Sequence, residues 1–261
     1  MKKLFSTLAI SLLLSATLAN AAEVMDIVKK AVHASYYQGK DEKAQIDMHI
    51  IDKQGRERTR RLTMLRRNLT EGYGAQKYYV FFSKPSDVKK MVFMAWKNID
   101  RDDDRWLYLP ALDLVKRIAA SDERTSFVGS HFFYEDVSGR NIDEDVHELV
   151  EENDEYYVIK SVPKNPGAVE FSSYKNWVDK KTFLLMKAEY TNANGIVYRT
   201  YSVLKVEAID GFPTVVGSEM IDNLTGGKTV IAFSNIKYNL GLPENIFTER
   251  YLRKPARKYL R

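Results

Sequence analysis

"TFLLMKAEYTNANGIVYRTYSVLKVEAIDGFPTVVGSEMIDNLTGGKTVIAFSNIKY", residues 182–238, decides the fold. Runs rich in Val, Ile, Tyr, Phe and Thr are cut by the turn signals "NANG", "DGFP" and "NLTGG". Connections this short leave no room for crossover helices, so neighbouring runs must pair antiparallel. Upstream, "DEYYVIKSV" and "VEFSSYKNWV" are separated by "PKNPG" and extend the same meander towards the N-terminus. One face of a strand is apolar where Leu184, Met186, Ala188 and Tyr190 recur at two-residue spacing.

The first half repeats the two-residue period. Ile46, Met48 and Ile50 oppose Gln45, Asp47 and His49, and "KQG" turns the chain into the arginine-rich "RERTRRLTMLRRN", which reads as an exposed edge strand. Before it, Val24, Ile27, Val28, Ala31 and Val32 recur at helical spacing up to Gly39, which predicts one amphipathic helix over 24–38. "PENIFTERYL" predicts a short helical turn near the end. No linker or repeat divides the chain. The expectation is a mainly β protein: one large curled antiparallel sheet of about 10–11 strands, with a helix and short helices as cover.

Composition narrows the function classes. The 261 residues contain no cysteine, which excludes disulfides, thiolate metal ligands and cysteine nucleophiles. Lys2, Lys3, the apolar run Leu4–Leu14 and the small-x-small site Ala19, Asn20, Ala21 predict a secretory signal peptide over 1–21, cleaved before Ala22. Residues 22–261 then form a single exported, soluble domain, with no cysteine at its start to carry a lipid. The net charge of +5 is concentrated at the ends: Arg250, Arg253, Lys254, Arg257, Lys258 and Arg261 crowd the last twelve residues. The body therefore carries no basic face for nucleic acid. The basic tail, about 250–261, reads as a solvated segment or as a contact with anionic lipid or an acidic partner.

The densest chemistry is "SDERTSFVGSHFFYED", residues 121–136. Ser130 and His131 are adjacent, which on extended chain points them to opposite faces, and no G-x-S-x-G elbow surrounds the serine. His33, His49, His131 and His147 fall on four different elements, without the local pairing a zinc site needs. Asn141, Asp143, Asp145 and Glu152 have calcium-loop spacing, but Val146 occupies the turn position that requires glycine. No glycine-rich phosphate loop is present. The residues provide no reason to call the protein an enzyme, and no cofactor is expected.

Phe81–Arg140 resembles the LolA-like "outer membrane lipoprotein-sorting protein" family, through "FFSKPSDVKKMVFMAWKN", "RWLYLPALDLVKRI" and "SDERTSFVGSHFFYEDVSGR". Lys90 stands where the family often has glycine, and His131 where it often has an acidic or amide residue. The resemblance implies an incomplete, strongly curved β-barrel whose concave apolar face is closed by helices, similar to LolA, LolB and the lipid-binding domain of RseB. It also implies a periplasmic carrier of lipid or lipoprotein, serving an exporter of the resistance-nodulation-division type or an outer-membrane acceptor.

A carrier needs an apolar lining, since each exposed methylene costs about 0.8 kcal/mol. The candidate lining comprises Met91, Phe93, Met94, Trp96, Trp106, Tyr108, Phe127, Phe132, Tyr134, Leu184, Met186 and Tyr190. Leu112 and Leu114, with Leu109 and Ile118, would lie at the mouth in the loop "LPALDLVKRIAAS", and the helix over 24–38 would act as lid. Phe127, Phe132 and Tyr134 are expected to alternate along extended chain. Three readings follow: a carrier, a sensor of lipid or outer-membrane segments built on the same fold, and an envelope hydrolase.

Overall fold

A computed structural model describes residues 21–260. The expected signal peptide lies outside the described residues except for Ala21, which starts the first helix.

The strands in chain order are β1 (Asp41–Ile51), β2 (Glu57–Asn68), β3 (Gln76–Lys84), β4 (Val92–Lys97), β5 (Asp104–Leu109) and β6 (Leu114–Ile118) in the first half. The second half holds β7 (Asp145–Glu152), β8 (Tyr156–Pro163), β9 (Phe171–Asp179), β10 (Leu185–Asn192), β11 (Val197–Ile209), β12 (Phe212–Asp222) and β13 (Lys228–Tyr238). Each half is a meander. The two are joined where β1 pairs antiparallel with β13, from Glu42 opposite Tyr238 to Ile51 opposite Lys228. One 13-stranded sheet results, in the order β6-β5-β4-β3-β2-β1-β13-β12-β11-β10-β9-β8-β7. It curves strongly and does not close, so β6 and β7 are its two edges, and residues 119–144 run from one edge to the other.

Local chemistry sets the turns. The Asp52 carboxylate accepts from the backbone N–H groups of Gln54 (2.9 Å) and Arg56 (3.0 Å), and Asp222 accepts from Leu224 (2.9 Å) and Thr225 (3.0 Å). Asn192 holds Asn194 and Ile196 in the same way. Such Asx turns fix the connection and hence the strand register.

The sheet has two or three strands more than the 10–11 expected from sequence. The stretch read as a mouth loop forms the β5–β6 hairpin, with Leu109 opposite Leu114 and Arg105 opposite Ile118. The stretch with calcium-loop spacing largely forms β7. The arginine-rich β2 is not an edge strand; it lies between β1 and β3. Its charge is matched within the sheet, by Asp47 on Arg61 (2.6 Å) and Glu42 on Arg66 (3.1 Å).

Both faces are covered. On the concave face, Ile46, Met48 and Ile50 of β1 join Leu62, Tyr78, Val80 and Phe93 in the main core. Helix α1, residues 21–32 continued by a π-helical turn His33–Tyr37, buries Val24, Ile27, Val28 and Ala31 against Ile142, Ile159 and Val178. On the other face, α3 (Arg250–Arg253) and α4 (Arg257–Leu260) follow α2 (Tyr134–Ser138) in chain order. There Leu252 and Ala256 pack with Leu242, Ile246 and Phe247 on Leu65, Tyr79, Val92 and Met94. The basic tail is therefore docked rather than a free solvated segment. Tyr79 Oη donates to the Tyr251 carbonyl (2.7 Å), and Trp96 Nε1 to that of Phe247 (2.9 Å). The apolar residues bind the sheet while Arg250, Arg253, Lys254, Arg257 and Lys258 face outward.

Candidate functional site

A cavity of about 220 Å³ opens within the concave face. Its walls come from strands far apart in the sheet, with Tyr78 and Val80 of β3 on one side and Ala188 and Tyr190 of β10 on the other. Ile46, Met48, Leu62, Met220, Ile231 and Phe233 form the apolar floor. The strand period brings these side chains to one face. The end of the α1 turn contributes Ala34, Ser35 and Tyr36, and Gln38 follows. A smaller cavity of about 90 Å³ beneath α1 shares Ser35, Tyr36, Leu185 and Tyr190 as lining. Those four residues partition the two spaces.

The edge-to-edge segment closes the remaining side. It is not extended: Phe127–Gly129 is a 3₁₀ turn, Ser126 bridges Phe133, and Tyr134–Ser138 is α2. This fold-back drives Phe127 and Phe132 into the cavity wall. Behind them Phe93, Phe127 and Tyr134 form an aromatic triangle with centroids 5.3–5.4 Å apart, a geometry that adds about 0.5–1.5 kcal/mol per pair beyond burial.

Charged groups in and around the wall are paired. Arg66, 2% exposed, donates to Glu42 (3.1 Å), to Asn68 Oδ1 (2.6 Å) and to the Gln38 carbonyl. Asp136 bonds Arg199, whose guanidinium stacks 3.9 Å from the Phe133 ring centroid and 5.1 Å from that of Tyr190. Burial raises the hydroxyl pKa of Tyr36, Tyr78 and Tyr190, and pushes that of Tyr201 up to about 12. These phenols are neutral hydrogen-bonding groups at ordinary pH.

Ser130 and His131 have separate partners. Ser130 Oγ donates to the Phe132 carbonyl (3.3 Å), whereas His131 Nδ1 lies 2.8 Å from Thr229 Oγ1. Burial lowers the His131 pKa below its ordinary value, leaving a neutral ring near neutral pH.

Among the residues expected from sequence, Phe127, Phe132, Leu184 and Tyr190 line the cavity. Met91, Phe93 and Tyr134 sit in the core behind it. Met94 and Trp106 face the other way and are buried beneath the C-terminal helices, with Trp96 and Tyr108 packed alongside. Strand β4 is covered on both faces, so its apolar run does not reveal which side is lining. Leu112 and Leu114 lie at the β5–β6 tip, 70% and 46% exposed, away from the cavity. Met186 is partly buried and outside the lining. The sequence reading missed Tyr36, Gln38, Arg66 and the β12–β13 wall. For Arg66 and the β12–β13 residues the signal was the inward strand register shared with Ile46 and Met48; Tyr36 and Gln38 lie outside any strand and carried no such signal.

A family model described as uncharacterized-protein-like matches residues 74–254. No curated protein matches the chain in sequence. Among solved structures, a DUF1329 family protein from Desulfovibrio piger is 26% identical with a TM-score of 0.82, over 89% of this chain and 99% of its own. A Vibrio parahaemolyticus protein described as an outer membrane lipoprotein-sorting domain is also 26% identical, with a TM-score of 0.80 over 90% and 100% of the two chains. A LolA superfamily protein from Nitrosomonas europaea, 21% identical, shares the fold with a TM-score of 0.67 over 87% and 98%.

Proposed function

The chain belongs to the uncharacterized-protein-like family that it matches over residues 74–254, among the LolA-like outer membrane lipoprotein-sorting proteins, and from that premise we propose that it is a periplasmic carrier of lipid or lipoprotein acyl chains. The observation that carries the reading is the apolar cavity inside a curved, unclosed sheet, walled on one side by a helix end rather than by a strand. A packed core leaves few voids larger than a water molecule, so an aliphatic and aromatic space of about 220 Å³ supports a ligand site. Ligand pockets commonly run to about 300–1,000 Å³. A full acyl chain therefore requires α1 or the 119–144 segment to yield, which is how a carrier couples loading and release to a partner.

No chemical step is needed. Transfer would be driven by a receptor that binds cargo more tightly, either an exporter of the resistance-nodulation-division type or an outer-membrane acceptor. The cations of α3 and α4, held outward by the docked apolar side, suit brief contact with an anionic membrane surface. No helix among the described residues is long and apolar enough to cross a membrane.

The test is mass spectrometry of organic extracts from natively purified protein, followed by transfer of the recovered lipid from loaded protein to acceptor vesicles. Co-purified lipid that moves to vesicles is the expected result. Protein that carries none, and takes up none from donor vesicles, would overturn the proposal.

A further inference from the structure

The turn between β5 and β6 carries two leucines into solvent: Leu112 is 70% exposed and Leu114 46%. Single exposed leucines are ordinary, but this turn is braced. Between them Asp113 takes a left-handed conformation (φ 44°), and its N–H donates to the Pro110 carbonyl (3.3 Å). The Asp113 carboxylate accepts from Tyr108 Oη (3.1 Å) and from Arg253 Nε (3.1 Å), and Arg253 also donates to the Asp113 carbonyl (3.3 Å). The one charge of the tip is thus neutralised within the fold, and the leucines are held outward by a fixed turn.

Arg253 also joins the tip to α3. Residues 250–260 contain no carboxylate, and Arg250, Arg253, Lys254, Arg257 and Lys258 are all exposed there. On β6 Lys116 and Arg117 are exposed as well, Arg117 being matched by Asp104. Tyr108 and Val115 share the cluster beneath the helices with Tyr251, Tyr259 and Leu260. Two exposed leucines and a surplus of positive charge therefore meet at one corner of the molecule.

We propose that this corner is a membrane-docking site, in which Leu112 and Leu114 enter the margin of an anionic bilayer while the cations of α3 and α4 bind its lipid phosphates. The cations supply an attraction that salt weakens, and the leucines supply apolar burial that salt does not weaken. A bilayer fits the chemistry better than a protein does. Protein hot spots favour Trp, Tyr and Arg, with Leu under-represented, whereas a lipid surface receives a protruding tip without a complementary shape. Entry into lipid also demands that backbone and side-chain polar groups be satisfied internally, as those of Asp113 are. The tip lies away from the cavity, so docking leaves the cavity walls free to open. The site rests on the carrier reading for its purpose, since a carrier must meet a membrane to load or deliver.

The chain has no cysteine, so Leu112→Cys offers a single position for a nitrobenzoxadiazole dye, and Leu224→Cys, 63% exposed before substitution in the β12–β13 turn, serves as the comparison. With phosphatidylglycerol vesicles the dye at 112 should shift to the blue and be quenched by lipid carrying a doxyl group on its acyl chain. The dye at 224 should do neither, and phosphatidylcholine vesicles should leave both unchanged. In sedimentation with phosphatidylglycerol vesicles, Leu112→Ser combined with Leu114→Ser should weaken binding by about tenfold. Arg257→Gln combined with Lys258→Gln should weaken it by a similar factor and make it less sensitive to salt. An unshifted dye at 112 on bound protein, or undiminished binding of the double serine variant, overturns the proposal in favour of charge alone. Absence of binding to phosphatidylglycerol overturns it in favour of an acidic protein as the partner of the cations. In each case the carrier reading stands, because co-purified lipid that moves to vesicles reports on the cavity and not on the tip. A shifted dye on protein that carries no lipid would instead overturn the carrier reading and keep the docking site.

Discussion

Lys90 has a backbone φ of 71°, and its N–H donates to the Phe82 carbonyl at 2.8 Å. Left-handed backbone costs a residue with a Cβ about 1–2 kcal/mol, partly offset because glycine loses more entropy on folding. Lys90→Gly should therefore raise stability by roughly 0.5–1 kcal/mol, seen as a higher urea midpoint at unchanged slope; a lower midpoint would refute the strain argument. In the sequence Lys90 stood out only as a departure from the glycine that the family resemblance implies; the positive φ is what the structure adds. His131, the other departure, was harder to read. Its ring stands where a side chain on Gly227 would go, with an added Cβ only 2.5 Å from Nε2, and that neighbour is remote in sequence. Ser130→Ala removes two local bonds to Phe132, one donated to its carbonyl and one accepted from its N–H, and should cost about 1–3 kcal/mol. Phe132→Asp puts an unpaired charge in the cavity wall and should cost more than about 3 kcal/mol, or prevent folding. Denaturation of the two variants side by side separates a structural serine from one that matters for more.

At the scale of elements, the segment 119–144 is tied by ion pairs to β5, next to one edge of the sheet, and to β7 at the other edge. Arg105 of β5 bonds Glu123 (2.7 Å), Arg124 reaches Glu170 (3.0 Å), and Arg140 grips Asp145 at the start of β7 (2.9 Å). At the centre Glu135 meets Arg140 (3.1 Å) and Arg124 (3.5 Å). Burial, aided by the Glu123 and Asp136 carboxylates and opposed by the two arginines, raises its pKa from 4.5 to about 7. Between those values the folded protein holds a proton that the unfolded chain has released. Stability contributed by Glu135 is thus complete below about pH 4.5 and is lost as pH rises towards 7, by at most on the order of 3 kcal/mol. Glu135→Gln should flatten this part of the profile, measured as urea midpoints at pH 5, 6 and 7; an unaltered slope would assign the titration elsewhere. The aromatic and charged residues of this segment announced its importance, but extended chain was the wrong conformation to infer. An edge-to-edge crossing has no sheet partner to keep it extended, and a fold-back is what brings Phe127 and Phe132 inward. The docked tail was likewise hidden, because Leu252 and Ala256 carry little apolar signal among the cations, and the face they cover is known only once β2 to β5 are aligned.

For the whole molecule, the antiparallel meander was legible because turn chemistry and strand period are local. The pairing of β1 with β13 was not, since it joins residues about as far apart as the chain allows. That one pairing places the open edges at β6 and β7, and so makes residues 119–144 a wall of the cavity. Two sides of the cavity are consequently not sheet: this ion-tied segment, and the end of α1. The end of α1 is anchored towards β2 and β3, by Tyr37 Oη on the Gly74 carbonyl (2.7 Å) and Gln76 Nε2 on that of Tyr36 (2.7 Å), and is held more loosely towards β10. Leu185 N–H donates to Ser35 Oγ at a long 3.4 Å, and Tyr36, Ser35, Leu185 and Tyr190 separate the main cavity from the smaller one beneath the helix. If α1 swings away from β10, the two spaces merge and open together; if it cannot, the space stays below what a long acyl chain needs. The chain has no cysteine, so Ser35→Cys with Leu185→Cys introduces a single possible disulfide between α1 and β10. Oxidised, this variant should take up fluorescent lipid from donor vesicles at least about tenfold more slowly than its reduced form, with reductant restoring the rate. Equal rates with the disulfide formed would show that cargo enters elsewhere, and would shift the moving part to the segment that bridges the edges.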